Sequence, residues 1–358
     1  MKDNNVKITG FLGGLIFFII GVVLLWWNEG RTVVQQSMIL EAGQKLVQVN
    51  DAKVDSANEG KLVAIYGKID EEKLSQLGDS EFGVVVKSPK LVRKVEMYQW
   101  EEECEEDTND NETCTYSKVW SDDLIDASKF KESGYENPMS FKYDSKGIIS
   151  EEVRVGEFLI PDELVEELST EKTFDNLDQA AAEAHGFIIQ NNYYTDVKDN
   201  KPQIGDTRIS FVYNNAKNLS AIGVQTGDTL IRYTAKKGGI LLSIREGNHT
   251  GAEMLAAMKK ENNIIKWALR ALGFFFVTSA ISGLFSVINK LAEKVPVLGG
   301  IVSGVTGIIS GLLGFAISLV VIAVAWFRFR PILSIVLLAL VAAIVVIVRI
   351  LKKNKSRT

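Results

Sequence analysis

Four apolar runs, each long enough to cross a bilayer, set the limits on what this chain can become. A helix rises ~1.5 Å per residue, so roughly 20 apolar residues span the hydrocarbon core. Residues 8–27 form one such run without a charge. The other three are crowded between residues 264 and 351. Residues 271–288 are extended upstream by 264–270, with Trp267 at interface depth. Residues 298–327 are 30 positions without a charge, too long for one upright span, so tilt, a kink or an interfacial first turn is expected. Residues 331–351 make the last span, followed by a basic tail over 352–358. The chain therefore reads as an α+β membrane protein. It has one N-terminal transmembrane helix (8–27) after a cytosolic segment 1–7. A large β-rich extramembrane domain with a few helices covers 28–263. Three C-terminal transmembrane helices follow at 264–288, 298–327 and 331–351, the first two joined by a loop at 289–297.

Charge divides along the same boundaries. Residues 28–262 hold 43 Asp or Glu against 27 Lys or Arg, a net of −16, although the whole chain is only −5. An acidic domain repels phosphate backbones, so nucleic acid is excluded as an expected partner. Lys2, Lys7, Lys290, Lys294, Lys352, Lys353, Lys355 and Arg357 all fall on one side of a four-span topology. The excess of Lys and Arg marks that side as cytosolic, placing both ends of the chain there and the large domain outside or in a lumen. Arg328 and Arg330 oppose the rule from a tight turn on the domain's side.

Within the domain, period-two alternation dominates. Strands are expected at 62–67, 83–86, 90–100, 115–120, 141–143, 153–160 and 187–189, with four more between 206 and 245. Residues 31–43 suit a short helix, as do a segment starting at Pro161-Asp162-Glu163 and the Ala-rich 177–185. Residues 90–100 and 115–120 form an extended hairpin whose acidic tip runs from Glu101 to Asp107 and reads as solvated. Cys104 and Cys114 flank the polar, turn-rich segment Glu105 to Thr113 and, in an oxidising compartment, would close a short loop by a disulfide. The helix starting near Ala252 continues without a break into the second span.

Small residues recur on the spans. Gly10 and Gly14 pair in the first; Gly300, Gly304, Gly307, Gly311 and Gly314 form a stripe on the third. Such faces let helices approach closely, and packing is the expected role. At the end of the first span, Asn28-Glu29-Gly30-Arg31 reads as a charged turn at the membrane surface. Its sharper reading is a docking corner where Glu29 and Arg31 meet charges at the end of the bundle. No Ser–His–Asp set, phosphate loop or metal-ligand cluster stands out, and His185 and His249 lack companions that would activate them. The chain is therefore expected to have no enzymatic activity, no metal and no cofactor. The favoured reading is a membrane scaffold whose partners are the lipid bilayer, further copies of itself and other membrane proteins. The alternative is an ion channel or accessory subunit, with Thr278, Ser282, Ser303 and Thr306 lining a path.

Several stretches together resemble the transmembrane protein 43 (LUMA) family. They are Asn28-Glu29-Gly30-Arg31, Asn58-Glu59-Gly60-Lys61-Leu62-Val63, Val95-Glu96-Met97-Tyr98-Gln99-Trp100 and Gly205-Asp206-Thr207-Arg208-Ile209-Ser210-Phe211. On the C-terminal side follow Gly251-Ala252-Glu253-Met254, Trp267-Ala268-Leu269-Arg270, Val295-Pro296-Val297-Leu298-Gly299 and Arg328-Phe329-Arg330-Pro331. The resemblance covers nearly the whole chain in order and fits a bacterial or otherwise short member. It implies four spans with a lumenal domain and cytosolic ends, self-association, and organisation of membrane protein complexes. In animal relatives it implies residence in the endoplasmic reticulum and inner nuclear membrane; in a bacterium the corresponding place is the cytoplasmic membrane.

Overall fold

The computed structural model describes residues 2–106, 112–292 and 306–336. The fold is α+β, with a strand-rich middle and long apolar helices toward both ends. The helices are α1 (Lys2–Lys45), α2 (Asp162–Glu166), α3 (Gln179–Ala184), α4 (Gly251–Ala292) and α5 (Thr306–Phe329). The chain divides into two compact units. One draws on residues 1–44, 234–240 and 255–358, the other on 45–233 and 241–254.

The strand-rich unit holds two larger sheets. In the first, strand Asn218–Thr226 is central, paired antiparallel with Leu62–Lys68, Thr229–Ile231 and Ser243–Glu246. Val63, Ile65, Leu219, Ala221, Phe158 and Leu164 are buried together beneath it. In the second, strand Lys90–Glu106 pairs antiparallel with Thr207–Tyr213 and with Glu112–Ser121. Odd positions 91–99 are buried, so Leu91, Val95 and Met97 enter the interior together with Arg93 and Gln99. A buried charge must be paired. The Arg93 guanidinium contacts Asp79 at 3.1 Å and Glu81 at 2.5 Å, and lies 5.4 Å above the Phe82 ring. The Gln99 amide is satisfied: its Nε2 donates to the Asp123 carbonyl at 2.8 Å and its Oε1 accepts from Ile125 N–H at 2.9 Å.

Several expectations change. Residues 141–143 form no strand; Phe141 and Tyr143 pack sideways against the Phe82 core, and Tyr143 Oη meets His185 Nδ1 at 3.1 Å. Residues 153–160 split into Arg154–Val155 and Phe158–Leu159, which fold back on one another. Gly156 makes the turn at φ +59°, with the Ala52 carbonyl oxygen 2.5 Å from where a Cβ would stand. The charged turn expected at 28–31 is absent: α1 runs through it to Lys45 and absorbs the short helix expected at 31–43. At the other end α4 begins at Gly251, so both long helices cross the expected domain limits of 28 and 263.

In the helical unit α1 and α4 run antiparallel. Gly14 faces Ala280, Gly21 faces Gly273 and Val277, and Gly43 faces Leu255. A Cβ on Gly21 would lie 2.8 Å from Val277 Cγ2, and one on Gly273 would lie 2.6 Å from Leu25 Cγ. These glycines set the helix separation. Helix α5 joins them: Val277 and Ile281 of α4 pack with Leu25, Ile317 and Val321. α5 as assigned ends at Phe329 and a helical segment resumes over 331–336, while Arg330 N–H still donates to the Trp326 carbonyl at 2.7 Å and the Arg330 carbonyl accepts from Ser334 N–H at 3.1 Å. The remainder of the expected fourth span lies outside the described residues, as does the start of the expected third.

Candidate functional site

The most concentrated chemistry in the helical unit is a polar junction of α1, α4 and α5. Glu29 has a fully buried side chain. Its Oε1 accepts from Arg270 Nε at 2.7 Å and lies 2.6 Å from Arg270 Nη2, while Oε2 accepts from Trp326 Nε1 at 2.8 Å. One carboxylate thereby ties three helices. Desolvating an ion costs several kcal/mol unless partners replace its water, and here both carboxylate oxygens are supplied. Arg270 also lies 4.8 Å over the Trp267 ring. Asn28, completely buried, donates from Nδ2 to the Lys266 carbonyl at 3.0 Å. One turn beyond the junction, Arg330 Nη2 donates to Gln36 Oε1 at 2.9 Å.

Gly30 explains how α5 comes this close. A Cβ there would stand 2.8 Å from Phe329 Cζ, so the ring occupies the space a side chain would need. Phe329 also meets Trp26 edge-on at 5.6 Å. Local sequence makes this possible because Glu29 and Gly30 are consecutive: one carries the charge, the other opens the groove beside it.

Of the expected corner, Glu29 pairs as the docking reading required, but from mid-helix. Arg31 does not join Arg270 and Glu29; its Nε and Nη2 are buried without a hydrogen-bond partner among the described residues. Gln36 and Trp326 carry little signal in the sequence, since each is an ordinary residue at a span end whose partner lies far along the chain, and nothing local marks Thr32.

The small-residue positions separate in space. Gly14 is used against α4, and Gly314 abuts Thr278, the hydroxyl residue expected to line a path. Among the described residues, nothing lies within 4 Å of where a Cβ on Gly311 would project. Gly10 and Gly307 lie in helical backbone whose surroundings are outside the described residues, as are Gly300 and Gly304 altogether. Ser282 is half-buried, Thr306 begins α5, and Ser303 lies outside the described residues.

In the strand-rich unit Cys104 and Cys114 face one another across the hairpin and are joined by a disulfide. Among the described residues, Glu102, Cys104 and Cys114 are the one group of metal-ligand type within mutual reach, and its two sulfurs are already bonded to each other. His185 Nε2 meets the Glu81 carbonyl at 2.9 Å, and His249 Nε2 meets that of Glu246 at 3.0 Å.

The junction gathers Asn28-Glu29-Gly30-Arg31, Trp267-Ala268-Leu269-Arg270 and Arg328-Phe329-Arg330-Pro331 into one place. A family model described as transmembrane protein 43 matches residues 97–331, most of the chain. The chain belongs to the transmembrane protein 43 family. Transmembrane protein 43 of Rattus norvegicus is 29% identical over 370 aligned residues, covering 96% of this chain and 91% of the relative. The Homo sapiens protein is 28% identical with the same coverage. The Drosophila melanogaster homolog is 25% identical, over 91% of this chain and 90% of its own length. No solved structure matches this chain. Family and apolar helices together make it an integral membrane protein.

Proposed function

We propose that this transmembrane protein 43 family member is a multi-pass membrane scaffold that self-associates and organises other membrane proteins. The observation that carries the reading is the division of labour among glycines. Gly14, Gly21, Gly273 and Gly314 are consumed in packing within the protomer, whereas Gly311 meets nothing among the described residues and lies open on α5 in that sense. Its neighbours Leu312 and Phe315 are 66% and 55% exposed, so the surface is apolar and suited to lipid or to another helix. An open glycine on a membrane helix allows close backbone approach, which drives association where apolar burial alone does not. Cations at the chain ends favour both ends in the cytosol and the acidic domain on the opposite side, in an organelle lumen or outside the cell. There its surface would recruit partners.

Two differently tagged copies, expressed together and extracted with surrounding lipid, test the reading. Capture of one tag should recover the other along with reproducible membrane partners. Gly311→Leu should reduce recovery several-fold, while Gly314→Leu, which collides with Thr278, should lower protomer stability. Recovery unchanged by Gly311→Leu removes the basis for assembly through this face.

A further inference from the structure

At the junction Arg31 presents an unfilled guanidinium edge. Arg31 Nε and Nη2 are buried and have no hydrogen-bond partner among the described residues. These two atoms form the edge by which an arginine grips an anion side-on. Arg208 uses the same edge on Glu96, with both contacts at 2.7 Å, and Arg270 uses it on Glu29. An unfilled guanidinium edge out of water is costly, and it fits a carboxylate or a phosphate.

A second observation lies beside it. Asn28 and Thr32 are completely buried and Asn262 is 6% exposed, yet Asn28 Oδ1, Thr32 Oγ1 and Asn262 Oδ1 all lack partners. Asn28, Arg31 and Thr32 share one face of α1 through their i, i+3 and i+4 spacing. Asn28 meets Lys266 across the antiparallel pair, so Thr32, one turn later, falls opposite Asn262, one turn earlier. Unsatisfied polar atoms from two helices thus gather beside the open Arg31 edge. They are complementary to a group that both accepts from Arg31 and brings its own hydroxyl or bound water.

Charge selects the ligand. Around this level stand Arg31, Lys266, Arg270, Arg328 and Arg330, against Glu29 as the carboxylate of the junction and Glu261 on the exposed side of α4. Glu29 is already saturated, and Glu41, three turns further along α1, accepts from Lys236 N–H. Trp26 and Trp27, 39% and 54% exposed, precede Arg31 by about one turn and suit the headgroup depth of a bilayer. The anion abundant at that depth is phosphate.

We propose that the Nε/Nη2 edge of Arg31, with the Thr32 hydroxyl beside it, binds a phosphate group at the membrane surface. The phosphate is supplied either by a phospholipid headgroup or by free phosphate. This goes beyond the scaffold reading and stands without it, because a lone protomer would present the same site.

Full-length protein, stripped of lipid in a phosphate-free detergent, is titrated with phosphatidylglycerol, with a phosphate-free galactolipid and with inorganic phosphate. Native mass spectrometry counts retained lipid, and thermal unfolding reports phosphate. The wild type should prefer phosphatidylglycerol over the galactolipid by on the order of tenfold, and Arg31→Gln should abolish that preference. Arg31→Lys, which keeps the charge without the fork, should give an intermediate value. Stabilisation by inorganic phosphate that competes with phosphatidylglycerol supports the site and shows that free phosphate reaches it; phosphatidylglycerol binding without such competition assigns it to lipid. If Arg31→Gln fails to fold, Arg31→Lys and Thr32→Val decide: wild-type preference in both overturns the proposal. Equal binding of both lipids to the wild type, with no response to inorganic phosphate, also overturns it.

Discussion

Glu29 is the residue on which the helical unit turns. Its carboxylate is fully buried and bonded to Arg270 on α4 and Trp326 on α5. Removing one member of a buried pair strands the other, which costs about 3–5 kcal/mol. Glu29→Ala should therefore lower unfolding stability by about that amount, read by denaturant or thermal melts in lipid. Arg270→Ala should cost a similar amount, and the double variant should cost clearly less than the sum, because each single change leaves the partner's charge exposed to the same loss. Additive losses would mean that the two side chains act independently. Gly30, next to Glu29, sets the approach of the same helices. Adding a methyl against Phe329 at 2.8 Å forces the ring aside, and overpacking of this kind costs about 1–3 kcal/mol. Gly30→Ala should show that loss, with Phe329→Ala in the same chain recovering part of it.

At the scale of elements, the hairpin formed by Lys90–Glu106 and Glu112–Ser121 carries its own pH sensor. Tyr116 Oη donates to Glu102 Oε2 at 2.5 Å, and Lys131 N–H donates to the same oxygen at 2.7 Å. The Tyr116 hydrogen bond chiefly, then that of Lys131, holds the Glu102 carboxyl below its ordinary range. A depressed acid stabilises the fold above its unfolded pKa, roughly 4.3 for Glu, and loses that contribution as pH falls through the folded value. The Tyr116 hydroxyl also accepts from Glu132 N–H at 3.0 Å, and its ring stacks on Tyr135 at 3.9 Å. Acidification below about pH 4 should lower the protection of the Lys131 and Glu132 amides, measured against the unstructured exchange rate at each pH, while the sheet core stays protected. Glu102→Gln should remove that pH dependence of protection; protection that is flat with pH in the wild type would contradict the account.

These elements also show what was legible beforehand. The hairpin and the strands Thr207–Tyr213 and Asn218–Thr226 were readable because their apolar residues alternate and polar turns separate them, whereas the two strands expected after them each split, into Thr229–Ile231 and Tyr233–Thr234 and into Ile240–Leu241 and Ser243–Glu246. The strand expected at 141–143 was not real, because two aromatics in alternation satisfy the same pattern when they merely cap a core. The turn expected at 28–31 failed for a related reason: charge next to an apolar run marks a helix leaving lipid just as well as a helix ending. What decides is Arg270, some 240 positions away, and no local pattern reports it. Nor does local pattern separate Gly311 from Gly314, since only the position of Thr278 shows which of them is already covered.

For the whole molecule, two long helices, α1 and α4, continue beyond the apolar runs, and the buried junction locks them to α5. A unit tied in this way suits a scaffold, which must hold its surfaces in fixed relation while neighbours attach. On the proposed reading, the α5 face around Gly311 is where copies would meet. The most direct test is the mass of single particles extracted in native lipid without detergent, for the wild type and for Gly311→Leu. The account predicts wild-type particles holding several copies and Gly311→Leu particles reduced toward one. Wild-type particles that hold one copy, at concentrations where the protein is abundant in its membrane, would contradict it.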